Sequence, residues 1–260
     1  MMDLKQITLQ VCQIAKNTGT YLSSERKNFN IANVIQKHSH DYVSYVDREA
    51  EKMTVKELQS LLPQAGFVTE EGTVEQSKEG LNWVIDPLDG TTNYIHDFAP
   101  YCVSIALRNG DDLLIGVVYE VCRDECYYAW KSGGAYLNDK QIHVSNNQIE
   151  DAFIGIDLPY NAEAYKTVVL NVIEKLYGKV SSIRLNGSAA MSLCYVAAGR
   201  YDGWGEAFIS PWDYSAGALI VREAGGKVTD FTGKEDIADT HHIIVTNGII
   251  HEELRSALNP

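Results

Sequence analysis

The first hydrophobic pattern along the chain is that of an amphipathic helix. Apolar side chains recur every three or four residues near the N-terminus, at Leu4, Ile7, Val11, Ile14 and Ala15. This period is close to 3.6 residues, so it places them on one face of a helix. A loop and a short segment are predicted at residues 28–37. A second helix is predicted from about Asp47 to Leu62, because Pro63 cannot continue it.

The pattern then changes to that of β-strands. Apolar runs that end in acidic residues predict strands at residues 66–72 and 81–86. Over residues 101–144, β-branched and aromatic residues surround Asn109-Gly110 and Asn138-Asp139, two pairs that are typical of hairpin turns. This segment is therefore predicted to be a run of antiparallel strands.

The rest of the chain alternates between helical and strand patterns. Helices are predicted near residues 161–177, 187–199, 212–224 and from about 249, and strands near 180–185, 202–206, 227–231 and 241–247. An antiparallel block followed by alternating elements favours a layered α/β sandwich. No linker, repeat or low-complexity tract interrupts the chain. A single domain over residues 1–260 is therefore predicted, with approximate halves 1–145 and 146–260.

Composition and charge restrict the classes of partner. The chain of 260 residues carries a formal charge of −13 and has a pI near 4.9, which disfavours nucleic acid and anionic membrane surfaces. No stretch approaches the roughly 20 apolar residues of a membrane span. The N-terminal segment lacks the continuous apolar core of a signal peptide. We therefore expect a cytoplasmic protein with no nucleic-acid or membrane partner.

The five cysteines give no pattern of their own. They are scattered, only Cys122 and Cys126 are close in sequence, and no histidine lies at zinc-site spacing from them. A redox switch or a soft-metal site is the functional alternative. Reduced, mostly buried thiols are favoured instead.

The sequence WVIDPLDGTTN at residues 83–93 holds the first candidate chemistry. A buried strand is predicted to stop at Asp86, because Pro87 cannot donate to a continuing ladder. Asp86 and Asp89 then share a tight turn, and two carboxylates with intervening carbonyls suit Mg²⁺. The amides of Gly90–Thr92 would form an anion site if a helix begins there. The structural alternative is an Asp-rich turn that only caps the next helix.

Other acidic residues follow predicted elements in the same way. Glu70 and Glu71 end an apolar strand, Asp213 lies in the first turn of an apolar helix, and Asp47 lies at a helix start. Taken separately, Asp47 is explained by helix capping and Asp213 by its interaction with the helix dipole. The dipole interaction contributes only roughly 0.3–1 kcal/mol. Taken together, these residues are a set of acidic ligands at element ends, which is where sites lie in α/β proteins.

Three motifs together resemble one known family. EE at residues 70–71, DPLDGTTN at 86–93 and PWDYSAGALIVREAGG at 211–226 are similar to the inositol monophosphatase family of Mg²⁺-dependent, lithium-sensitive phosphatases. The resemblance extends from the Lys37 and Asp47 region to the C-terminal helix. It implies a layered α-β-α-β-α sandwich and a homodimer.

The resemblance also implies roles for individual residues. Two to three Mg²⁺ ions would be bound by Glu70, Asp86, the Leu88 carbonyl, Asp89 and Asp213. Asp47 and Thr91 would orient the attacking water and help to deprotonate it, and Glu71 would support the ligands from behind. The phosphate would be held by the amides of Gly90 and Thr91. The rest of the substrate pocket would be formed by Gly187, Ser188, Ala189, Glu206 and Asp213, with Glu206 contacting the substrate hydroxyls.

The expected reaction is the hydrolysis of inositol monophosphate to inositol and phosphate. The alternatives on the same fold are other phosphate esters: fructose 1,6-bisphosphate, adenosine bisphosphate, histidinol phosphate or the 2′-phosphate of NADP. The second candidate is therefore a phosphatase of a nucleotide or sugar phosphate. A catalytically silent scaffold and a Ca²⁺-binding module are alternatives of another class. The first should have lost a carboxylate or Thr91, and the second should have an EF-hand loop. Residues 153–165 match the family poorly, which leaves the substrate open.

Overall fold

The structure, a computed structural model, describes residues 2–30, 34–38, 41–77, 79–159, 162–238 and 240–259. In this part of the chain the α-helices are α1 (Leu4–Arg26), α2 (Tyr45–Leu61), α3 (Thr91–Ile95), α4 (Ala162–Leu176), α5 (Ala189–Ala197), α6 (Pro211–Glu223) and α7 (His251–Leu258). None of these helices is long and apolar enough to cross a membrane. The side chain of Lys37 lies outside the described part.

The β-strands fall into two large sheets and a short ribbon. The ribbon pairs β1 (Ile35–His38) with β2 (Asp41–Val43). The larger sheet contains β3 (Gly66–Thr69), β4 (Leu81–Asp89), β5 (Cys102–Asn109), β6 (Asp112–Glu120), β7 (Glu125–Trp130), β8 (Ala135–Leu137) and β9 (Lys140–Ile142). The smaller sheet contains β10 (Phe153–Ile156), β11 (Ser182–Arg184), β12 (Gly203–Ala207), β13 (Lys227–Thr229) and β14 (His242–Thr246).

The pairing of the strands agrees with the sequence pattern. In the larger sheet the strands follow chain order, and every pair from β4 to β9 is antiparallel. The smaller sheet has the order β11-β10-β12-β14-β13 and mixes parallel with antiparallel pairs. The predicted run of antiparallel strands over residues 101–144 is thereby confirmed.

The helices and sheets stack in five layers. Helices α1 and α2 cover one face of the larger sheet, and α5 and α6 lie between the two sheets. Helices α4 and α7 cover the outer face of the smaller sheet. Each sheet is therefore buried on both faces, and the predicted α-β-α-β-α sandwich is confirmed.

Strand β4 shows why its sequence is apolar at successive positions. Trp83 and Ile85 point to the core formed with α1 and α2, and Val84 points to the core formed with α5 and α6. All three are essentially without solvent exposure. A strand buried on both faces gains free energy from apolar side chains at every position, so its sequence is a continuous apolar run.

Strand β4 does not stop at Asp86, and that prediction was wrong. It continues through Pro87 to Asp89, with a break in register between Asp86 and Asp89 opposite β5. At such a bulge one residue needs no ladder partner, so a proline without an N–H is tolerated. The two aspartates therefore lie in the irregular end of the strand and not in a turn after it.

Two smaller differences concern helix α2 and strand β10. Helix α2 begins at Tyr45, two residues before the predicted start, because Ser44 caps it and Asp47 is the third helical residue of the capping box. Strand β10 was not predicted, because Gly155 interrupts a short apolar run.

Replacing Gly116 by alanine should destabilise the layered packing. A Cβ atom on Gly116 of β6 would lie 2.4 Å from the carbonyl oxygen of Ala216, so α6 would have to move away from the sheet. We expect a loss of about 1–3 kcal/mol in the free energy of unfolding, measured by urea denaturation. The control Asp111→Ala, in an exposed turn, should stay within about 0.5 kcal/mol of the parent protein. Equal stability of the two variants would contradict this packing.

Candidate functional site

A cavity of about 660 Å³ opens where the ends of β4 and β12 meet the starts of α5 and α6. Most of the residues that the sequence assigned to a site line this cavity: Glu70, Asp86, Leu88, Asp89, Gly90, Thr91, Gly187, Ser188, Ala189, Glu206 and Asp213. Asp47 and Glu71 are not among the lining residues. The side chain of Glu71 is 2 % exposed and lies 3.9 Å from Nε of Arg48.

Three carboxylates converge in the cavity. One oxygen from each of Asp86, Asp89 and Asp213 lies within 4.8 Å of the others. Asp86 and Asp89 are buried, and Asp213 is partly exposed. The chain brings these residues together from the end of a strand and the start of a helix that lie more than 120 positions apart in sequence.

Strand β5 aligns β4 with helix α6. Ser104 pairs with Asp86 in the sheet, and its hydroxyl donates to the carbonyl of Trp212 at 3.1 Å. Asp213 is the next residue, and one of its carboxylate oxygens accepts from the Ser210 amide at 2.8 Å. Asp213 is therefore a capping residue and a cavity residue at once, because a carboxylate has lone pairs for both roles.

The electrostatics of this carboxylate cluster are unfavourable without a cation. Burial raises the pKa of Asp86 well above its usual range, and the neighbouring charges of Glu70, Asp89 and Asp213 raise it further. Burial also raises the pKa of Asp89, to about 6, against the hydrogen bonds that it accepts. Ionised carboxylates this close repel one another strongly, so the arrangement stabilises a bound positive charge.

The donor set fits a hard divalent cation. Every charged side chain among the described lining residues is a carboxylate, and these lining residues include no histidine or cysteine. Mg²⁺ prefers oxygen ligands and retains several waters, for which a cavity open to solvent leaves room. Zn²⁺ sites in proteins usually include histidine nitrogen or cysteine sulfur, and the described lining residues offer neither.

A buried acid that the sequence analysis missed, Glu51, holds the turn that carries Glu70. Glu51 of α2 has no solvent exposure, and its carboxylate accepts from the hydroxyls of Thr69 and Thr73 at 2.9 and 2.7 Å. It also accepts from the amides of Glu71 and Thr73, both at 2.7 Å. Each donor lies within three residues of Glu70, so Glu51 fixes the backbone on both sides of it. The available signal in the sequence was that Glu51 lies on the apolar face of α2, together with Ala50 and Val55.

Asp47 reaches the cavity through Thr91. The Thr91 hydroxyl lies 3.2 Å from one carboxylate oxygen of Asp47 and 3.0 Å from the carbonyl of Leu88. The other carboxylate oxygen of Asp47 accepts from the amide and the hydroxyl of Ser44, at 2.8 and 2.7 Å. Burial raises the pKa of Asp47 despite these hydrogen bonds. Asp47 is thus a fixed hydrogen-bond acceptor behind the hydroxyl that faces the cavity.

The backbone turns sharply at Gly90. Its φ of 88° lies in the left-handed region, and a Cβ atom there would lie 3.0 Å from the Pro100 carbonyl oxygen. Helix α3 begins directly after it, which is the condition that the sequence analysis set for an anion site at Gly90–Thr92. The side-chain amide of Asn93 then donates to the carbonyls of Pro100 and Asn186, both at 2.8 Å, which joins this turn to the opposite wall of the cavity.

Asp89 joins β4 to helix α5. The hydroxyl of Ser188, which caps α5, donates to the carboxylate of Asp89. The same oxygen accepts from the Ala190 amide at 3.0 Å and from the Cys102 thiol at 3.5 Å. Ser188 and Ala189 line the cavity for this reason. Their segment is held by one of the clustered carboxylates.

Asp157 is a second buried acid that the sequence analysis missed. It lines the cavity and accepts from the Gly187 amide at 2.8 Å and the Asn186 amide at 3.3 Å. The indole N–H of Trp204 donates to its other oxygen at 2.9 Å. Asp157 therefore holds the cavity wall formed by residues 186–188. It follows the apolar run of β10, which is the signal that identified Glu70 and Asp86.

Glu206 lies near the end of β12 and faces the cavity. Burial raises the pKa of its carboxyl group well above the usual range, and the charges of Asp157, Asp213 and Asp89 add to this effect. Because the side chain remains partly exposed to the cavity, it can accept or donate hydrogen bonds to a bound molecule.

Comparison with known proteins identifies the family of the chain. The model of the inositol monophosphatase family matches residues 3–260. The inositol-1-monophosphatase of Mesorhizobium japonicum is 38% identical over 248 residues, which are 95% of this chain and 93% of that protein. The protein called Nus factor SuhB in Escherichia coli strain K12 is 37% identical over 235 residues, 90% of this chain and 88% of that one.

Solved structures show the same fold. The extragenic suppressor protein suhB from Bartonella henselae has a TM-score of 0.90 and 36% identity, covering 99% of each chain. The Thermotoga maritima IMPase has a TM-score of 0.87 and 34% identity, covering 95% of this chain and 94% of the other. The resemblance found in the sequence motifs is thereby confirmed. The chain belongs to the inositol monophosphatase family and has the fold of its phosphatases.

Proposed function

We propose that the protein is a Mg²⁺-dependent phosphomonoesterase that hydrolyses inositol monophosphate to inositol and phosphate. The observation that carries this proposal is the convergence of Asp86, Asp89 and Asp213 within 4.8 Å in an open cavity. Glu70 and the Leu88 carbonyl, which line the same cavity, would complete the ligands for two to three ions. Bound Mg²⁺ supplies charge that neutralises the phosphate and lowers the pKa of a coordinated water.

Side chains and backbone amides of the protein would then transfer the proton and bind the phosphate. Thr91 and Asp47 form a hydroxyl–carboxylate pair at 3.2 Å, so the hydroxyl can accept a proton from the attacking water and pass its own to Asp47. The amides of Gly90 and Thr91 would hold the phosphate. Glu71, behind the cavity, supports the turn of Glu70 through its contact with Arg48.

Glu206 and the segment Gly187–Ala189 would hold the rest of the substrate. Glu206 offers a carboxyl group to the cavity, and inositol presents ring hydroxyls that pair with such a group. Asp213 lines the same cavity as Glu206 and would adjoin the same hydroxyls.

Four expectations stay predictions. The family resemblance implies a homodimer and inhibition by lithium, and the charge and hydrophobic pattern of the chain indicate a cytoplasmic location and no nucleic-acid partner. The name Nus factor belongs to relatives such as the one from Escherichia coli. The acidic charge of −13 in this chain does not favour direct contact with nucleic acid.

Phosphate release should depend on Mg²⁺ and should be reversibly lost in EDTA. The test is a panel of inositol, sugar and nucleotide monophosphates, with circular dichroism to follow the fold. The fold should survive metal removal, because two large apolar cores hold the chain together. Full phosphatase activity in excess EDTA would overturn the metal mechanism.

Asp86→Asn should weaken Mg²⁺ binding, because it removes one charge from the carboxylate cluster. For the parent protein, Mg²⁺ at about 100 times its Kd should stabilise the folded state by about 2.7 kcal/mol in thermal unfolding. At the same Mg²⁺ concentration the variant should lose most of this shift and at least roughly 10²-fold in turnover. Asp111→Asn, at an exposed aspartate outside the cavity, is the matched control and should keep both. An unchanged Mg²⁺ shift in Asp86→Asn would remove Asp86 from the ligands.

Glu206→Gln should change substrate binding more than the chemical step. The amide keeps the shape of the side chain but changes its donors and acceptors, so the substrate hydroxyls lose partners. We expect KM for inositol monophosphate to rise by more than kcat falls in steady-state kinetics. Glu163→Gln, exposed on α4, should leave both values unchanged. A large fall in kcat at constant KM would place Glu206 in the catalytic machinery.

A further inference from the structure

Glu70 is held in the fold differently from the three clustered aspartates. Asp86 and Asp89 lie in β4, inside the larger sheet, and Asp213 caps α6. Glu70 instead follows β3, which lies at the edge of that sheet beside β4. The amide of Glu70 donates to the carbonyl of Ile85 at 3.2 Å and so continues the pairing by one residue. The place of Glu70 therefore depends on what holds the chain beyond the strand.

The segment that follows Glu70 lies at the surface. Gly72, Glu75 and Gln76 are exposed. Val74 is the one hydrophobic residue among positions 71–76, and it packs against the core formed with α1 and α2. A segment that buries so little apolar surface opens easily unless hydrogen bonds hold it. Its conformation must therefore come mainly from polar contacts.

Glu51 supplies these contacts from inside the protein. Its carboxylate has no solvent exposure and accepts from four donors of residues 69–73, two amides and two hydroxyls. The two ends of the segment are also joined, because the Gln76 side chain accepts from the Thr69 amide at 2.8 Å and donates to the Thr69 hydroxyl at 3.0 Å. A buried carboxylate with four donors is a firm anchor, since any of these groups left unpaired would cost free energy.

Glu51 also lies one helical turn after Asp47 on α2. Residues four positions apart share one face of a helix, and both of these acids are buried. Asp47 contacts the Thr91 hydroxyl, and Glu51 contacts the amides of Glu71 and Thr73. One helix therefore fixes both the Thr91 hydroxyl and the segment that carries Glu70.

We propose that Glu51 is a positioning residue that sets the cation affinity of the cavity by acting through Glu70. This role rests on the proposed Mg²⁺-dependent function. Glu70 lines the cavity together with Asp86, whereas Glu51 is not among the lining residues, so its effect must be transmitted by the backbone that it holds. Groups that orient metal ligands from behind commonly change metal affinity by roughly 10- to 100-fold.

The test is Glu51→Gln, with Mn²⁺ as the probe because it takes hard oxygen ligands. Binding is followed by electron paramagnetic resonance, and stability by thermal unfolding without metal. The amide keeps the size of the side chain but sets an NH₂ group against at least one of the four donors, whichever way it is turned. We expect the Kd for Mn²⁺ to rise about tenfold. Thr73→Val removes a single hydroxyl donor and should raise the Kd by less.

Asp202→Asn is the matched control. Asp202 is also buried, and its carboxylate accepts from the Phe153 amide at 2.6 Å, from the side-chain amide of Asn147 at 3.1 Å and from the Ser145 hydroxyl. It is not among the residues that line the cavity. Both Glu51→Gln and Asp202→Asn should lower the melting temperature, because each leaves a buried donor unpaired. Only Glu51→Gln should change the Kd for Mn²⁺.

A double variant tests whether the effect passes through Glu70. Glu70→Gln should weaken Mn²⁺ binding by itself, because it removes a charged ligand. If Glu51 acts through that ligand, the effects of the two substitutions are not additive. The double variant Glu51→Gln/Glu70→Gln should then bind Mn²⁺ with the Kd of Glu70→Gln, within about twofold.

Three results would overturn this role of Glu51: an unchanged Kd in folded Glu51→Gln, an equal rise of the Kd in Asp202→Asn, or a double variant that binds Mn²⁺ much more weakly than Glu70→Gln. If Glu51→Gln does not fold, an unchanged Kd in Thr73→Val has the same consequence. In all of these cases the parent protein binds Mn²⁺, and the proposed function stands. A parent protein that binds no Mn²⁺ would instead contradict the proposed function itself.

Discussion

The crowding of buried carboxylates at the end of β4 is the constraint on which the site depends. Asp86 and Asp89 are buried, Asp213 faces them within 4.8 Å, and Glu70 adds a fourth charge that raises the pKa of Asp86. Such a cluster is stable only when protons or cations neutralise it. The fold holds it in place because its parts are also structural. Asp213 caps α6, Asp89 anchors α5, and the bulge in β4 lets both aspartates of that strand reach the same cavity.

Other buried acids have a structural role that is met by hydrogen bonds. Glu51 and Asp157 are saturated with hydrogen-bond donors from the backbone and side chains, so each fixes a loop and needs no ion. Glu51 fixes the turn that carries Glu70, and Asp157 fixes the wall formed by residues 186–188. Asp47 shares features of the clustered carboxylates and of these structural acids. One of its oxygens is saturated by hydrogen bonds from Ser44, and the other faces Thr91. Whether a buried carboxylate needs a cation therefore depends on how many N–H and O–H groups donate to it.

The sequence allowed most of the fold to be predicted because the periodicities are strong. The amphipathic first helix, the hairpins of β5–β9 and the alternating second half each follow from local patterns. The end of β4 was misjudged because a proline is tolerated at a bulge, and a bulge depends on the partner strand. The acids at element ends were visible in sequence. Glu51 and Asp157 each had a local signal, but their roles were not identified, because the groups that donate to them come from other segments. Phe208, which follows β12, has a φ of 64° in the left-handed region. The sequence does not indicate this angle, because it depends on how β12 is joined to α6.

The most direct test of the central claim is a crystal of the protein soaked in Mn²⁺, which takes the same hard oxygen ligands as Mg²⁺. The measurement is the anomalous difference density in the cavity. We predict at least one strong peak at bonding distance from carboxylate oxygens of Asp86, Asp89 and Asp213, and no such peak in crystals of Asp86→Asn at the same Mn²⁺ concentration. A parent crystal at saturating Mn²⁺ with no peak there, and with the carboxyl groups hydrogen-bonded to one another instead, would contradict the account.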